Sequence, residues 1–208
     1  SAAFKDLSTL TSVTFGSDAF VNSETKTIYT STFENCTNLT SIIIPKNIQN
    51  IEANAFLNCL SLIDIETSAS TINKDAFANT AWENSFEDGL VILNNILLKY
   101  SLDEENIVID ANITSINEGA FANKNLKSIT LPSSLRTIGA NAFDNCKNLE
   151  TVIFASGSVL TEIGANSFAN CSKLNSINFG TMLNKIGEGA FKNCYSLESI
   201  DLSNTLIE

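Results

Sequence analysis

The segment FDNCKNLETVIF, residues 143–154, decides the fold, because its first half returns as FENCTNL from Phe33, FLNCLSL from Phe56, FANCSKL from Phe168 and FKNCYSL from Phe191. An active site needs one copy of its motif. Five copies at regular spacing point to a repeating architecture instead. Anchors at Phe4, Phe33, Phe56, Phe77, Phe121, Phe143, Phe168 and Phe191 are separated by 29, 23, 21, 44, 22, 25 and 23 residues, so the long interval holds two ordinary ones. Isoleucine stands five residues before every anchor after the first, as Ile28, Ile51, Ile72, Ile116, Ile138, Ile163 and Ile186. The residue just before the anchor is small in the same repeats (Thr32, Ala55, Ala76, Ala120, Ala142, Ser167, Ala190), which lets a tight turn bring the ring inward.

The second half of the segment alternates. Leu39, Ile42 and Ile44, like Leu174, Ile177 and Phe179, have the spacing of a short strand with one buried face. Such a strand cannot bury its apolar side alone, so the copies are expected to stack as a parallel sheet with about 4.8 Å between strands. Pro45 and Pro132 fall just after strands, where a missing N–H does least harm.

These units, carried best by AFDNCKNLETVIF and LPSSLRTIGANAF, resemble the BspA-like branch of the bacterial leucine-rich-repeat proteins over nearly the whole chain. The resemblance implies an α/β repeat fold: a right-handed leucine-rich-repeat solenoid with a parallel β-sheet on one face and short turns or helical pieces on the other. It also implies a place at the cell surface. Residues 1–208 are expected to form a single solenoid of about eight to nine turns. Two stretches depart from the pattern. The first interval carries an added loop, GSDAFVNSETKTIYTST, and residues 80–106 form an irregular insert. Within that insert Asn94-Asn95, between the apolar runs Leu90–Leu93 and Ile96–Leu98, predicts a β-hairpin. The register returns at Ile107 and Ile109, so the insert is expected to protrude from a continuous solenoid. The chain opens and stops inside repeat-like patterns and reads as a piece of a longer protein.

Composition narrows the function classes. With 44% hydrophobic residues the chain can build a core, and a net charge of -11 with only 12 Lys and Arg repels nucleic acid and anionic membranes. No apolar run approaches the roughly 20 residues that span a bilayer, and SAAFKDLSTL lacks the features of a signal peptide.

Several residues invite a chemical reading and receive a structural one. Cys36, Cys59, Cys146, Cys171 and Cys194 share one column, three residues after the anchor. Metal ligands at convergent spacing and a fully paired disulfide set are both disfavoured by that arrangement and by the odd count, and buried free thiols are expected. Asn35, Asn58, Asn79, Asn123, Asn145, Asn170 and Asn193, with Asp6 in the first repeat, are expected to form a hydrogen-bonded ladder. Sequons occur at Asn35, Asn38, Asn112 and Asn170, two of them inside that ladder. The Gly-x-Gly of IGEGAF at Ile186 shares the register of IGANAF and reads as a turn, not a phosphate cradle. Asp103, Glu104 and Glu105 read as a solvated acidic loop, and Trp82, Phe86 and Tyr100 as packing around the insert. The chain has no histidine, which removes Ser-His-Asp and Cys-His catalysis. No enzyme activity, cofactor or metal is expected.

A solenoid binds through side chains that project from its strands. One outward column holds Ser12, Ser41, Asp64, Asn106, Ser128, Thr151, Ser176 and Ser199; the next holds Thr14, Ile43, Glu66, Val108, Thr130, Ile153, Asn178 and Asp201. Ile43, Glu66, Val108, Thr130, Ile153, Asn178 and Asp201 are the candidate ligand-binding residues. The resemblance implies an extracellular recognition or adhesion module for protein ligands, such as a host or matrix protein. A structural scaffold displaying other domains of the parent protein is the alternative.

Overall fold

Two strands form in each full repeat, one from the alternating segment and one from the isoleucine column. The structure, a computed structural model, describes residues 2–16 and 26–207. Residues 17–25, which include most of the loop expected in the first interval, lie outside that description. The chain divides into two compact units, Ser1–Asp88 and Gly89–Glu208.

In the first unit, β1 (Thr27–Ile28), β3 (Asn50–Ile51) and β5 (Thr71–Ile72) form one parallel sheet in the order β1-β3-β5. A second sheet pairs β2 (Ser41–Ile43) with β4 (Asp64–Glu66), also parallel. In the second unit, β8 (Asn106–Val108), β10 (Ser128–Leu131), β12 (Thr151–Phe154) and β14 (Ser176–Ile177) make a four-stranded parallel sheet. A six-stranded sheet holds β9 (Ser115–Ile116), β11 (Thr137–Ile138), β13 (Glu162–Ile163) and β15 (Lys185–Ile186), together with the hairpin β6 (Leu90–Leu93) and β7 (Ile96–Tyr100). Both units are β-solenoid.

The turns expected beside the alternating strands are present around the phenylalanine anchors, but the helical pieces offered as their alternative are not. The isoleucine column itself forms parallel two-residue strands, in which Ile51, Ile138 and Ile163 are buried and Ile186, in the last strand, is half-buried. Among the described residues the only helical element is the 3₁₀ turn Glu83–Ser85.

The insert differs as well. Its hairpin turns at Asn94 and Asn95, both with positive φ, as a two-residue hairpin loop requires. The hairpin does not protrude. Strand β7 pairs in parallel with β9, placing Leu97 opposite Ile116, and Leu97, Leu98 and Tyr100 are buried. The Tyr100 N–H donates to the Ala120 carbonyl, as the Phe121 N–H donates to that of Ala142. Tyr100 thus occupies the phenylalanine column, its ring 5.4 Å from that of Phe121, and the 44-residue interval contains a turn anchored by tyrosine.

The anchors form stacked ring columns. Phe33, Phe56 and Phe77 stack at 5.2 and 5.0 Å in the first unit; Phe121, Phe143, Phe168 and Phe191 stack at 5.0, 4.9 and 5.4 Å in the second. The two end anchors are less buried: Phe191 is half-buried, and Phe4 stacks on Phe33 yet is 46% exposed, since no ring covers its other face among the described residues.

The asparagine ladder forms with one shift. Asn58 donates to Asn35, Asn79 to Asn58, Asn145 to Asn123 and Asn193 to Asn170, while Asn170 donates to Asp144 in place of Asn145. Each of these asparagines also has φ near +60°, the left-handed region that asparagine tolerates better than other side chains. The column is therefore set by backbone geometry as much as by hydrogen bonding.

All five cysteines are free thiols, and each donates to the carbonyl of the preceding anchor: Cys36 to Phe4, Cys59 to Phe33, Cys146 to Phe121, Cys171 to Phe143 and Cys194 to Phe168, at 3.0–3.2 Å. Burial pushes the Cys59 and Cys146 thiols up to about 12 and raises the other three. A raised folded-state value means that the neutral thiol stabilises the fold below its ordinary 9.0, and that this contribution is lost as pH rises from there toward about 12. Little thiolate exists at neutral pH, so labelling of the native protein by a thiol reagent is expected to be slow, with all five reacting after denaturation. Rapid labelling of Cys59 or Cys146 without denaturant would contradict this packing.

Candidate ligand-binding faces

Alternation along each strand decides what faces solvent. In β8 and β12, Ile107 and Val152 are buried, which turns Val108 and Ile153 outward at 72% and 48% exposure. Val108, Thr130 and Ile153 are consecutive partners across β8, β10 and β12, so they form a row one strand spacing apart, with half-buried Thr130 between two exposed aliphatics. The neighbouring row, Asn106, Ser128, Thr151 and Ser176, is polar, and Ser128 donates to Asn106 at 2.7 Å. Asn178 is exposed just beyond β14.

Asp201 does not join this row. It lies in no strand, and its carboxylate accepts the Ser203 hydroxyl at 2.6 Å and the Ser203 N–H at 2.9 Å. These bonds hold it below its usual range and turn it into its own loop.

Ile43 and Glu66 belong to the first unit, where they are partners across β2 and β4, with Ile43 65% exposed. Beside them is a shallow groove of about 410 Å³ bordered by Ser41, Ile43, Ile63, Asp64, Glu66 and Trp82. Trp82 is held by edge-on contacts with Phe77 at 5.4 Å and Phe86 at 5.1 Å, which continue the ring column of that unit. Ile63 escaped the sequence reading, which has Trp82 packing around the insert. The signal for Ile63 was present: its column otherwise holds Thr40, Glu105, Lys127, Glu150, Asn175 and Glu198, so a lone aliphatic stands in a polar series. Trp82 packs as that reading expected, on Phe77 and Phe86, and the packing also sets it at the border of this groove.

The acidic loop is occupied with structure. Asp103 accepts the Asn125 N–H at 2.7 Å, and Glu105 pairs with Lys127 at 2.7 Å. That contact raises the lysine above its ordinary value, chiefly through the hydrogen bond to Glu105. Among the described residues no group of three or more His, Cys, Asp and Glu is placed to hold a metal ion, and no helix is long and apolar enough to cross a membrane. Of the sequons, Asn35 and Asn170 are engaged in the ladder, whereas Asn38 and Asn112 are exposed.

Stacked parallel strands, an inward leucine and isoleucine core and outward polar columns define a leucine-rich-repeat protein. The chain belongs to the BspA-type leucine-rich repeat family, which matches residues 1–87 and 91–208 in six copies. No curated protein matches it. Among solved structures it is similar to the leucine-rich repeat protein of T. pallidum, at 26% identity and a TM-score of 0.43 over 49% of this chain and 60% of that one. A leucine-rich repeat protein of Bacteroides ovatus is 22% identical with a TM-score of 0.40, over 97% of this chain and 69% of that one. A leucine rich cell surface protein of Faecalibacterium prausnitzii is 22% identical with a TM-score of 0.38, over 85% and 65%. The chain thus spans less than two thirds of the length of the T. pallidum protein.

Proposed function

We propose that this chain is a non-catalytic recognition module, displayed at the cell surface, that binds protein through its outward strand faces. The observation that carries the reading is the row Val108, Thr130 and Ile153. Two exposed aliphatic side chains sit in register on a flat parallel sheet, at positions where the core does not require them. A flat surface of this kind suits an extended protein surface better than a small molecule, which needs a concave pocket. Family membership and the net charge of -11 agree with a protein partner and disfavour nucleic acid.

The test is a binding screen against extracellular matrix proteins and whole cells, followed by the double variant Val108→Lys/Ile153→Lys. Both side chains are outward, so circular dichroism is expected to be unchanged while binding falls by about tenfold or more. Undiminished binding by the folded double variant overturns the assignment to this face. Absence of any partner across the screen favours a scaffold that displays other domains.

A further inference from the structure

The sheet formed by β2 and β4 stops one strand early. Strand β10 begins seven residues after its anchor Phe121, and β2, β4, β12 and β14 begin eight after their anchors Phe33, Phe56, Phe143 and Phe168. The same count from Phe77 reaches Ser85, but the chain there forms the 3₁₀ turn Glu83–Ser85, and the Trp82 N–H instead donates to the Leu62 carbonyl at 2.7 Å. Among the described strands, β4 therefore pairs on one side only, with β2.

That edge has a distinct chemistry. Ile65, whose counterparts Ile42, Ile129 and Val152 are buried, is only half-buried, and Ile63 beside it is 45% exposed. Asp64 and Glu66 project from the outward face of β4, and neither carboxylate has an ion-pair partner among the described residues. Trp82 borders the same groove.

We infer that the free edge of β4 accepts an extended, basic peptide segment of a partner protein as an added strand. An unpaired strand edge offers a row of backbone donors and acceptors that another extended chain can satisfy. Side chains at alternate positions of the added strand lie beside Asp64 and Glu66, which selects Lys or Arg there. The intervening side chains meet Ile63, Ile65 and Trp82, which selects aliphatic residues. The recognised pattern is thus basic and aliphatic in alternation. The inference rests on the reading of the chain as a protein-binding module, and it names a segment and a mode of contact separate from the Val108 row.

Trp82 is the chain's single tryptophan, so its fluorescence reports this groove. The probe is a blocked hexapeptide alternating lysine and valine, titrated into the whole chain. A saturable fluorescence change is expected, weakening as salt rises. Two further peptides carry N-methyl groups on the lysine set or on the valine set of amides. Alternate N–H groups of a strand point to opposite sides, so edge pairing makes one methylated peptide bind about tenfold or more weakly and leaves the other nearly unaffected. Asp64→Asn/Glu66→Gln is expected to weaken binding several-fold and to remove most of the salt dependence. Val108→Lys/Ile153→Lys is expected to leave the peptide affinity unchanged. Equal affinity for both methylated peptides, or no response to the parent peptide at millimolar concentration, overturns edge pairing. Either result leaves the Val108 row to be judged by its own variants.

Discussion

Phe143→Ala is expected to destabilise the second unit by about 3–5 kcal/mol. The ring is fully buried and stacks at 5.0 Å on Phe121 and 4.9 Å on Phe168, so truncation removes contacts on both sides and leaves a cavity inside the column. Repeat units contact chiefly their neighbours, so the loss at one turn is felt as two weakened interfaces. Denaturant unfolding followed by circular dichroism measures the effect. Phe4→Ala is the internal comparison, because that ring is 46% exposed and, among the described residues, stacks only on Phe33. Its cost is expected to be far smaller. An unchanged midpoint for Phe143→Ala would remove the phenylalanine column as the organising core.

Gly164→Ala is expected to cost about 1–3 kcal/mol, at the upper end of that range or beyond it, because no flexible side chain can yield to the new methyl group. A Cβ at Gly164 would sit 2.5 Å from the Ala140 backbone nitrogen and 2.6 Å from the Gly139 carbonyl carbon, both in the preceding turn. The neighbouring turns would have to separate, stretching the Gly164 N–H bond to the Ile138 carbonyl, now 2.8 Å. Gly157 provides the contrast: its φ is +76° but nothing lies within 4 Å of an added Cβ. Asparagine, which tolerates left-handed backbone, is expected to be accommodated at Gly157 and not at Gly164. Equal melting temperatures for Gly164→Asn and Gly157→Asn would show that close approach is not what selects glycine in the IGANAF-type turns.

The phenylalanine spacing and the alternation after each leucine were enough to place β2, β4, β8, β10, β12 and β14, because a buried face with period two is a local signal. The isoleucine column was equally regular, yet a two-residue strand has no alternation to display. Its pairing was therefore invisible, and the expectation of turns or helical pieces left no place for these short strands beside the turns. Tyr100 was hidden for another reason: the column it fills is marked elsewhere by phenylalanine, and the hairpin before it carries consecutive buried residues, Leu97 and Leu98, that read as an insert. Asn35 and its successors were legible as a ladder but not as left-handed residues, since hydrogen bonding and backbone conformation both favour asparagine there. For the candidate site, outward Val108, Ile153 and Ile43 followed from strand phase alone. The groove beside β4 did not, because it depends on the absence of a strand after Phe77 and on where tertiary packing sets Trp82.

The hairpin has a consequence for how the second unit finds its alignment. Turns bearing the same phenylalanine, isoleucine and asparagine can in principle pair one full turn out of place at little energetic penalty, because each offers its neighbour the same chemistry. Strands β6 and β7 form the one antiparallel pair among the described strands, closed by a two-residue loop, and their sequences LVIL and ILLKY are not copied in the other repeats. A short, local and unduplicated pairing at the end of the six-stranded sheet acts as a zero mark on a ruler of otherwise identical divisions. From it the isoleucine strands are counted off in a single order.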